Sequence, residues 1–257
     1  MTPIPITFCL MTTTKGHFGV KTRYVQTLNS FKDELPLSEY AARMAHIKVS
    51  PGEDDLMEEM TGNLKTYGFD VWQTKGAWQH GQDSHQLEYL KDTLKMVNEV
   101  KTPYVMMVED DWQVRAFHGP FISYLLRAVG YLEDDPGLVQ VRIPRWSNEF
   151  DRINGLMAKH GLPRSAHRGN DGYHFRSDDF SMNPAIYRTR DLRAALHFVN
   201  VTSLPKHIEH GLGEALKIVS GYPAGHFACF NPEKVRLGHL GTLPGEEDQI
   251  ETPLFST

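Results

Sequence analysis

The chain has 257 residues, of which 40% are hydrophobic and 23% are charged, and its formal net charge is −5. This composition excludes a disordered protein, and the negative balance gives no overall attraction to nucleic acid or to an anionic membrane. The first residues lack the basic start and apolar segment of a signal peptide, and no apolar run is long enough to span a bilayer. We therefore expect a cytoplasmic protein with no membrane span.

The first part of the chain alternates short apolar runs with amphipathic stretches. Strands are predicted at 5–11, 47–49 and 69–72, and helices are predicted where apolar residues recur at helical spacing, over 20–31, 56–67 and 87–97. A turn is predicted at 50–52 and a polar loop at 73–82. Gly68 is expected to end the second helix, and Asp83 or Ser84 to cap the third. This order predicts an α/β domain with a mostly parallel sheet flanked by helices.

An apolar run at 104–108 is followed directly by Glu109, Asp110 and Asp111. A run that is apolar on both faces predicts a buried strand, and ligands bind at the carboxyl edge of such strands in open sheets. Alternation sends Glu109 and Asp111 to one side and Asp110 to the other. Two carboxylates on one side suit Mg²⁺ or Mn²⁺, especially when a diphosphate supplies the remaining ligands. The alternative is an ordinary solvated acidic loop.

The second part of the chain is less regular. Pro120 is expected to open a helix that reaches residue 132, a strand is predicted at 138–143, and the sheet is expected to resume at 180–187. Helices at 190–198 and from 206 onward precede strands at 224–230 and 235–237. The stretch 144–180 is rich in Arg, His and aromatic residues without periodicity, which fits a binding loop or lid and a solvated loop equally well. Cys9 and Cys229 fall in predicted strands, so we expect buried free thiols.

Four further residues are candidates for chemistry, and each also has an ordinary explanation. Thr12 and Thr14 follow the first strand and can bind phosphate or ribose, or simply form a polar turn. Glu209 lies at or just before the first turn of a helix, where a carboxylate interacts favourably with the helix dipole or simply caps the helix. His239 stands between glycines at a strand end, where it can bind a metal or be an ordinary loop histidine.

Taken together, these features resemble a GT-A glycosyltransferase, closest to family 2-like members. The resemblance rests on their order: a Thr-rich first strand end, Val-Glu-Asp-Asp at 108–111, Phe-Ser-Met-Asn-Pro-Ala-Ile-Tyr-Arg at 180–188, the acidic residue opening a Leu-rich helix, and Gly-His-Leu-Gly at 238–241. It covers residues 5–242. It implies a single GT-A domain with a nucleotide-sugar-binding half at 5–113, an acceptor-binding half at 114–242 and a tail at 243–257.

The resemblance also implies roles for the acidic strand end. Asp111 would bind a Mn²⁺ or Mg²⁺ ion that bridges the donor diphosphate, with Glu109 or Asp110 directed toward the ribose or a metal-bound water. Thr12 and Thr14 would line the nucleotide pocket. This chain has Glu where the family's metal motif begins with Asp, which lengthens the reach of that side chain and leaves the ligand set open.

For the chemical step, the resemblance implies that Glu209 is the base of an inverting transfer. Glu209 precedes Leu212 and Leu216 by three and seven positions, as the family's catalytic pattern requires. Glu214 is the reserve candidate. His239 would be an additional metal ligand. Relatives often carry an acidic residue after the second strand that contacts the base, but this chain has Ser50-Pro51 there, which leaves the nucleotide open.

Two other functions remain open at this stage. A nucleotidyltransferase also uses an acidic metal site, but it needs a basic residue in a glycine-rich first loop, where this chain has only Lys15-Gly16. A non-catalytic nucleotide-sugar-binding module would keep the fold without turnover. The acceptor is equally open, because Arg and aromatic residues between 142 and 174 can hold a glycan, a small molecule or a hydroxylated DNA base of the phage type.

Overall fold

A computed structural model describes the backbone of residues 3–14, 23–76, 83–144, 167–168, 172–176, 184–201, 208–221, 226–230 and 234–239. Its first half contains four strands and three α-helices in strict alternation. These are β1 (Ile4–Thr13), α1 (Arg23–Glu34), β2 (Tyr40–Val49), α2 (Asp54–Thr66), β3 (Asp70–Lys75), α3 (Asp83–Glu99) and β4 (Tyr104–Glu109). A short 3₁₀ helix, Leu37–Glu39, leads into β2.

Within its described residues, the second half adds seven strands and three helices. In chain order they are β5 (Trp112–Ala116), α4 (Phe121–Asp134), β6 (Leu138–Arg142), β7 (His167–Arg168), β8 (Gly172–Arg176), β9 (Ala185–Arg188), α5 (Thr189–Val201), α6 (Ile208–Ser220), β10 (His226–Phe230) and β11 (Val235–His239). Within the described ranges, no helix combines the length and apolar character needed to cross a membrane.

Nine of the strands form one sheet in the order β3-β2-β1-β4-β9-β6-β10-β8-β7. β1 to β4 pair in parallel, and β6 pairs in parallel with β10. β9 is antiparallel to both β4 and β6, and β8 is antiparallel to both β10 and β7. The predicted mixed, mostly parallel α/β sheet is therefore confirmed. β5 and β11 form a separate antiparallel ribbon.

Alternation along the central strands builds a core on each face of the sheet. In β4, Met106 and Val108 join one buried cluster, which includes residues of α1, α2 and α4. Val105 and Met107 join the other, which includes residues of α3, α5 and α6. Because both faces of β4 are covered, its sequence is apolar without interruption, and the charged residues begin only where the strand ends.

The predicted strands and helices are confirmed over the described residues, with several corrections. The predicted positions 20–22, 180–183, 206–207 and 224–225 lie outside those residues. β2 begins at Tyr40, well before the strand predicted at 47–49. Its first residues carry a mixed, weakly apolar pattern, which does not predict a strand. β3 extends to Lys75, so the loop predicted at 73–82 starts too early. β5, β7 and β8 were not predicted, and the last two fall in the stretch predicted to lack regular elements. Leu87 is 40% exposed and does not face the sheet as expected. Cys9 and Cys229 are buried free thiols, as predicted.

Gly68 ends α2 as predicted, and it has a positive φ of 77°. An added Cβ would meet the Arg43 guanidinium at 2.8 Å. That side chain can move, but the backbone strain remains, so Gly68→Ala is expected to lower the free energy of unfolding by about 1–2 kcal/mol in urea denaturation. The matched control is Gly62→Ala in the same helix, where a Cβ meets nothing within 4 Å. It should raise stability by about 0.5–1 kcal/mol, and the same sign for both variants would contradict this account.

Candidate active site

The acidic strand end lies where the order of the sheet changes direction. The chain passes from β1 to β2 to β3 on one side of β1 and then returns to place β4 on its other side. This reversal of strand order leaves a crevice between the carboxyl ends of β1 and β4. Ligands of open α/β sheets bind in such a crevice. Thr12 and Thr14 enter it from β1, and Glu109 to Asp111 enter it from β4.

Asp110 is held by β1 and α1. Its carboxylate accepts a hydrogen bond from Thr12 Oγ1 at 2.6 Å, and its backbone carbonyl accepts one from Thr27 Oγ1 at 2.8 Å. Burial and the neighbouring charge of Asp111 raise its pKa to about 7, against the opposing effects of the Thr12 and Thr13 hydrogen bonds and of Arg23. The sequence did not identify Thr27, whose hydroxyl fixes the turn that carries Asp110.

Glu109 faces the opposite side, where α3 packs on the sheet. Tyr89 of α3 donates a hydrogen bond to Glu109 Oε1 at 3.0 Å. Burial and the charge of Asp111 raise the pKa of Glu109 to about 8, and burial with the nearby Glu109 charge raises the pKa of Tyr89 as well. The predicted divergence of Glu109 and Asp110 is therefore observed. Tyr89 was missed because its helical position gave no sign that it reaches the strand end.

Asp111 is 4% exposed and lies in the turn after β4. The alternation of side-chain directions along a strand therefore does not apply to it. Its charge acts on both neighbouring carboxyl groups. Three carboxyl groups at one strand end, two of them buried and that of Glu109 half-buried, repel one another, and their oxygen atoms are the ligands that a hard divalent cation prefers. Among the described side chains, no group of three His, Cys, Asp or Glu forms a metal site by itself. A cation here needs further ligands, such as diphosphate oxygens.

Thr12 of β1 and Thr14, just after β1, both bind other parts of the protein. Thr12 is 1% exposed and binds Asp110, while Thr14 is fully buried. Thr14 accepts a hydrogen bond from the Ser50 backbone at 2.9 Å, and its own backbone N–H donates to the Lys48 carbonyl at 3.0 Å. These contacts give the threonines a positioning role, because they tie the end of β1 to the ends of β2 and β4.

A second polar cluster, which the sequence did not reveal, lies at the carboxyl end of β2. Lys48 is 3% exposed, and its Nζ lies 3.0 Å from Asp92 and 3.2 Å from Glu88, both on α3. Thr74 of β3 donates a hydrogen bond to Asp92 at 3.0 Å. The pairing offsets the cost of burying the ammonium group. In the sequence, this cluster is marked by a lysine within a short apolar strand.

His46 belongs to the same cluster and gives a pH prediction. It lies 3.1 Å from Thr74 Oγ1, and burial together with Lys48 and Lys95 lowers its pKa from 6.5 to about 4 despite the opposing charge of Asp92. Between pH 6.5 and 4 the unfolded chain takes up a proton that the folded chain does not, so stability falls as the pH falls. The loss is on the order of 3 kcal/mol. His46→Gln should flatten the pH dependence of urea unfolding by that amount, and parallel curves for the two proteins would contradict the assignment.

The remaining predicted site residues are described through their backbone. Glu209 is in the first turn of α6, and only residues 221–225 separate α6 from the amino end of β10. α6 must therefore end near the amino edge of the sheet and begin toward the carboxyl edge, on the side of Glu109 to Asp111. His239 ends β11 and pairs in register with Trp112, directly after Asp111. The side chains of Glu209 and His239, and the loop 15–22, lie outside the described residues.

Comparison with solved structures reveals the same architecture in other proteins. GalNAc-T7, solved with UDP, GalNAc and Mn²⁺, aligns with 93% of this chain at a TM-score of 0.56 and 9% identity. TarS from S. aureus, solved with UDP, aligns with 91% at a TM-score of 0.52 and 12% identity. The chain has the GT-A fold.

This GT-A likeness is one of fold. No protein-family model and no curated protein matches the sequence. The alignment covers 44% of the GalNAc-T7 chain and 59% of the TarS chain, so this chain spans less than two thirds of either. A structure of UDP-glucose pyrophosphorylase with UDP-glucose aligns at a TM-score of 0.48. The predicted GT-A fold is thus confirmed, and the function of the site has to be argued from its residues.

Proposed function

We propose that this protein is a metal-dependent glycosyltransferase that moves a sugar from a nucleotide-sugar donor to an acceptor hydroxyl with inversion. One observation carries the proposal: two buried acidic residues, Asp110 and Asp111, and the half-buried Glu109 lie at the carboxyl end of β4, beside the point where the strand order reverses. In a GT-A fold this is the crevice for a nucleotide and its diphosphate. The solved neighbours with UDP support a nucleotide-sugar donor, although this chain's own nucleotide has to be measured.

A divalent cation fits the chemistry of the crevice. When bound, it supplies Lewis-acid stabilisation of the charge that develops on the departing diphosphate. Asp111, with Glu109 and His239, would hold it, as Mn²⁺ or Mg²⁺. Asp110 would orient the ribose from its hydrogen bond with Thr12, and Thr12 and Thr14 would keep the loops of the pocket in place.

Glu209 is the proposed base. The carboxyl group would accept the proton of the acceptor hydroxyl as that oxygen attacks the anomeric carbon on the face opposite the diphosphate. The topology supports this role, since α6 begins toward the edge of the sheet that holds the carboxylates. The acceptor would lie against residues of 114–242, and its class, whether glycan, small molecule or hydroxylated DNA base, follows from transfer assays.

The first test is a thermal-shift screen of the purified protein against a panel of nucleotide-sugars, each with Mn²⁺, with Mg²⁺ and with chelator. A ligand that binds the folded state raises the midpoint by mass action. We expect a shift with one nucleotide-sugar that chelator removes, and transfer of that sugar to an acceptor.

Two outcomes would contradict the proposal. A shift with nucleoside triphosphates but with no nucleotide-sugar would favour nucleotidyl transfer. Metal-dependent binding of a nucleotide-sugar with neither transfer nor hydrolysis would favour a non-catalytic module.

A further inference from the structure

A cavity of about 420 Å³ opens at the amino edge of the sheet, at the opposite end of β4 from the carboxylates. It lies where α3 and α4 end and where β4 and α5 begin. The polar and charged side chains that line it include Lys101, Tyr104, Glu133, Thr189, Arg190 and Arg193. Pockets of this size hold small molecules larger than a single ion.

The charge on this lining is positive. Arg188 also reaches the cavity, but it is engaged by Asp191 at 3.2 Å and by several backbone carbonyls, including that of Leu138 at 2.7 Å. The other cations are freer. Lys101 is 83% exposed, and its ion pair within the described part of the chain is a 4.0 Å contact with Glu99. Arg190 is 77% exposed and binds Asp191 through Nε alone, which leaves its terminal nitrogens without an acceptor among the described residues.

Two hydrogen-bond donors beside the cavity are buried without a partner among the described residues. The Thr189 hydroxyl is buried, in a residue that is 4% exposed, and no described group pairs with it. Arg193 Nη2 binds the carbonyls of Val97 and Val100 at 3.1 and 2.9 Å, while its buried Nε has no partner in the described part of the chain. Glu133 is the one carboxylate on the described lining, and it already accepts a hydrogen bond from Tyr104 at 3.2 Å.

The first turn of α5 adds further donors. The Thr189 backbone N–H binds the Pro103 carbonyl at 2.9 Å, and the next N–H groups of a helix's first turn have no partner within the helix. A helix N-terminus favours anions, although Asp191 in this turn takes part of that potential. Three cationic side chains, two buried donors and the helix end therefore call for one acceptor-rich, anionic ligand.

We propose that this cavity is a second ligand site, separate from the carboxylate crevice, and that it binds a phosphomonoester. Arg190 and Lys101 hold the phosphate at the mouth, and the first turn of α5 and Arg193 complete its hydrogen bonds. The carboxylate crevice cannot take a bare phosphate in this way, because its three acidic groups repel anions unless a cation is present. The two sites are thus separable by chelation.

The test is isothermal titration of the whole protein with inorganic phosphate, and with glucose 6-phosphate as the ester, in the presence of chelator. We expect one bound phosphate per chain. Arg190→Glu and Lys101→Glu should each weaken binding about 10- to 100-fold, since a charge-assisted hydrogen bond becomes a repulsion. Both residues are well exposed, so the fold is retained. Lys32→Glu is the matched control, the same charge reversal at an exposed position of α1.

Three results would overturn this proposal: no phosphate binding, unchanged affinity in both cavity variants, or an equal loss in Lys32→Glu, which reports net charge alone. The proposal is independent of the glycosyltransferase assignment. Arg190→Glu should keep the metal-dependent thermal shift with the nucleotide-sugar, and Asp111→Asn should keep phosphate binding in chelator.

Discussion

Asp111→Asn is expected to abolish the metal-dependent binding of the nucleotide-sugar. Asparagine preserves the shape of the side chain but removes a full negative charge from the centre of the acidic cluster, where Asp111 acts on both of its neighbours. Loss of an outer-shell partner already costs 10- to 100-fold in metal affinity, so loss of a direct ligand should cost at least about 100-fold. The measurement is titration of the nucleotide-sugar selected by the thermal-shift screen, with saturating Mn²⁺ and with chelator.

The matched control is Asp70→Asn, the same chemical change at an exposed residue where β3 begins, at the other edge of the sheet. It should bind like the original protein. Removing one charge from a cluster of like charges also reduces their electrostatic repulsion. The Asp111→Asn variant should therefore be at least as stable to urea as the unsubstituted protein. Undiminished metal-dependent binding in Asp111→Asn would remove this residue from the metal site.

Glu209→Gln is expected to reduce sugar transfer by about 10²- to 10⁴-fold, the usual contribution of a general base. Glutamine is nearly the same size as glutamate but cannot accept the proton of the acceptor hydroxyl. The proposed donor site is the crevice between β1 and β4, which this substitution leaves intact, so the dissociation constant of the nucleotide-sugar should not change. The measurement pairs single-turnover transfer with donor titration on the same preparation, because the prediction is a loss in one with none in the other.

Glu214→Gln in the same helix tests the competing assignment. Glu214 binds Lys217 Nζ at 2.9 Å, an i,i+3 pair on α6 that satisfies its carboxylate within the helix. We expect this variant to retain most of its transfer activity. Full activity in Glu209→Gln together with a large loss in Glu214→Gln would transfer the base role to Glu214.

Sequence patterns predicted the elements in which the residue types directly reflect the burial of each side chain. The strand β4 can be recognised in the sequence because both of its faces are buried and its residues are therefore apolar. The three acidic residues can be recognised because they end that apolar run. The alternation of apolar strands with amphipathic helices likewise predicted the parallel half of the sheet, because each element shows its buried face in its own sequence. β5 was missed, although Trp112 and Val114 alternate with polar residues, because the strand is five residues long and pairs with β11, which lies more than a hundred positions later in the chain.

The contacts that shape the site depend on elements distant in sequence. Thr27 of α1 reaches the Asp110 carbonyl, and Tyr89 of α3 reaches Glu109, but a helical period reports only that a residue faces inward. Thr12 and Thr14 were predicted to lie near the site, yet the sequence did not indicate that their hydroxyls would be turned toward protein groups. Which side chains meet across a sheet edge is decided by strand order, which local patterns do not encode.

The β5–β11 ribbon has a consequence for how the protein is made. β11 contributes nothing to the nine-stranded sheet, but its register places the backbone of His239 opposite Trp112, next to the acidic turn. During synthesis, β1 to β4 and their helices emerge first and can pack around the carboxylates before the rest of the chain exists. The ribbon beside the acidic turn is complete only once residues 235–239 have left the ribosome and paired with β5. A nascent chain that stops short of these residues would therefore leave β5 without this partner strand.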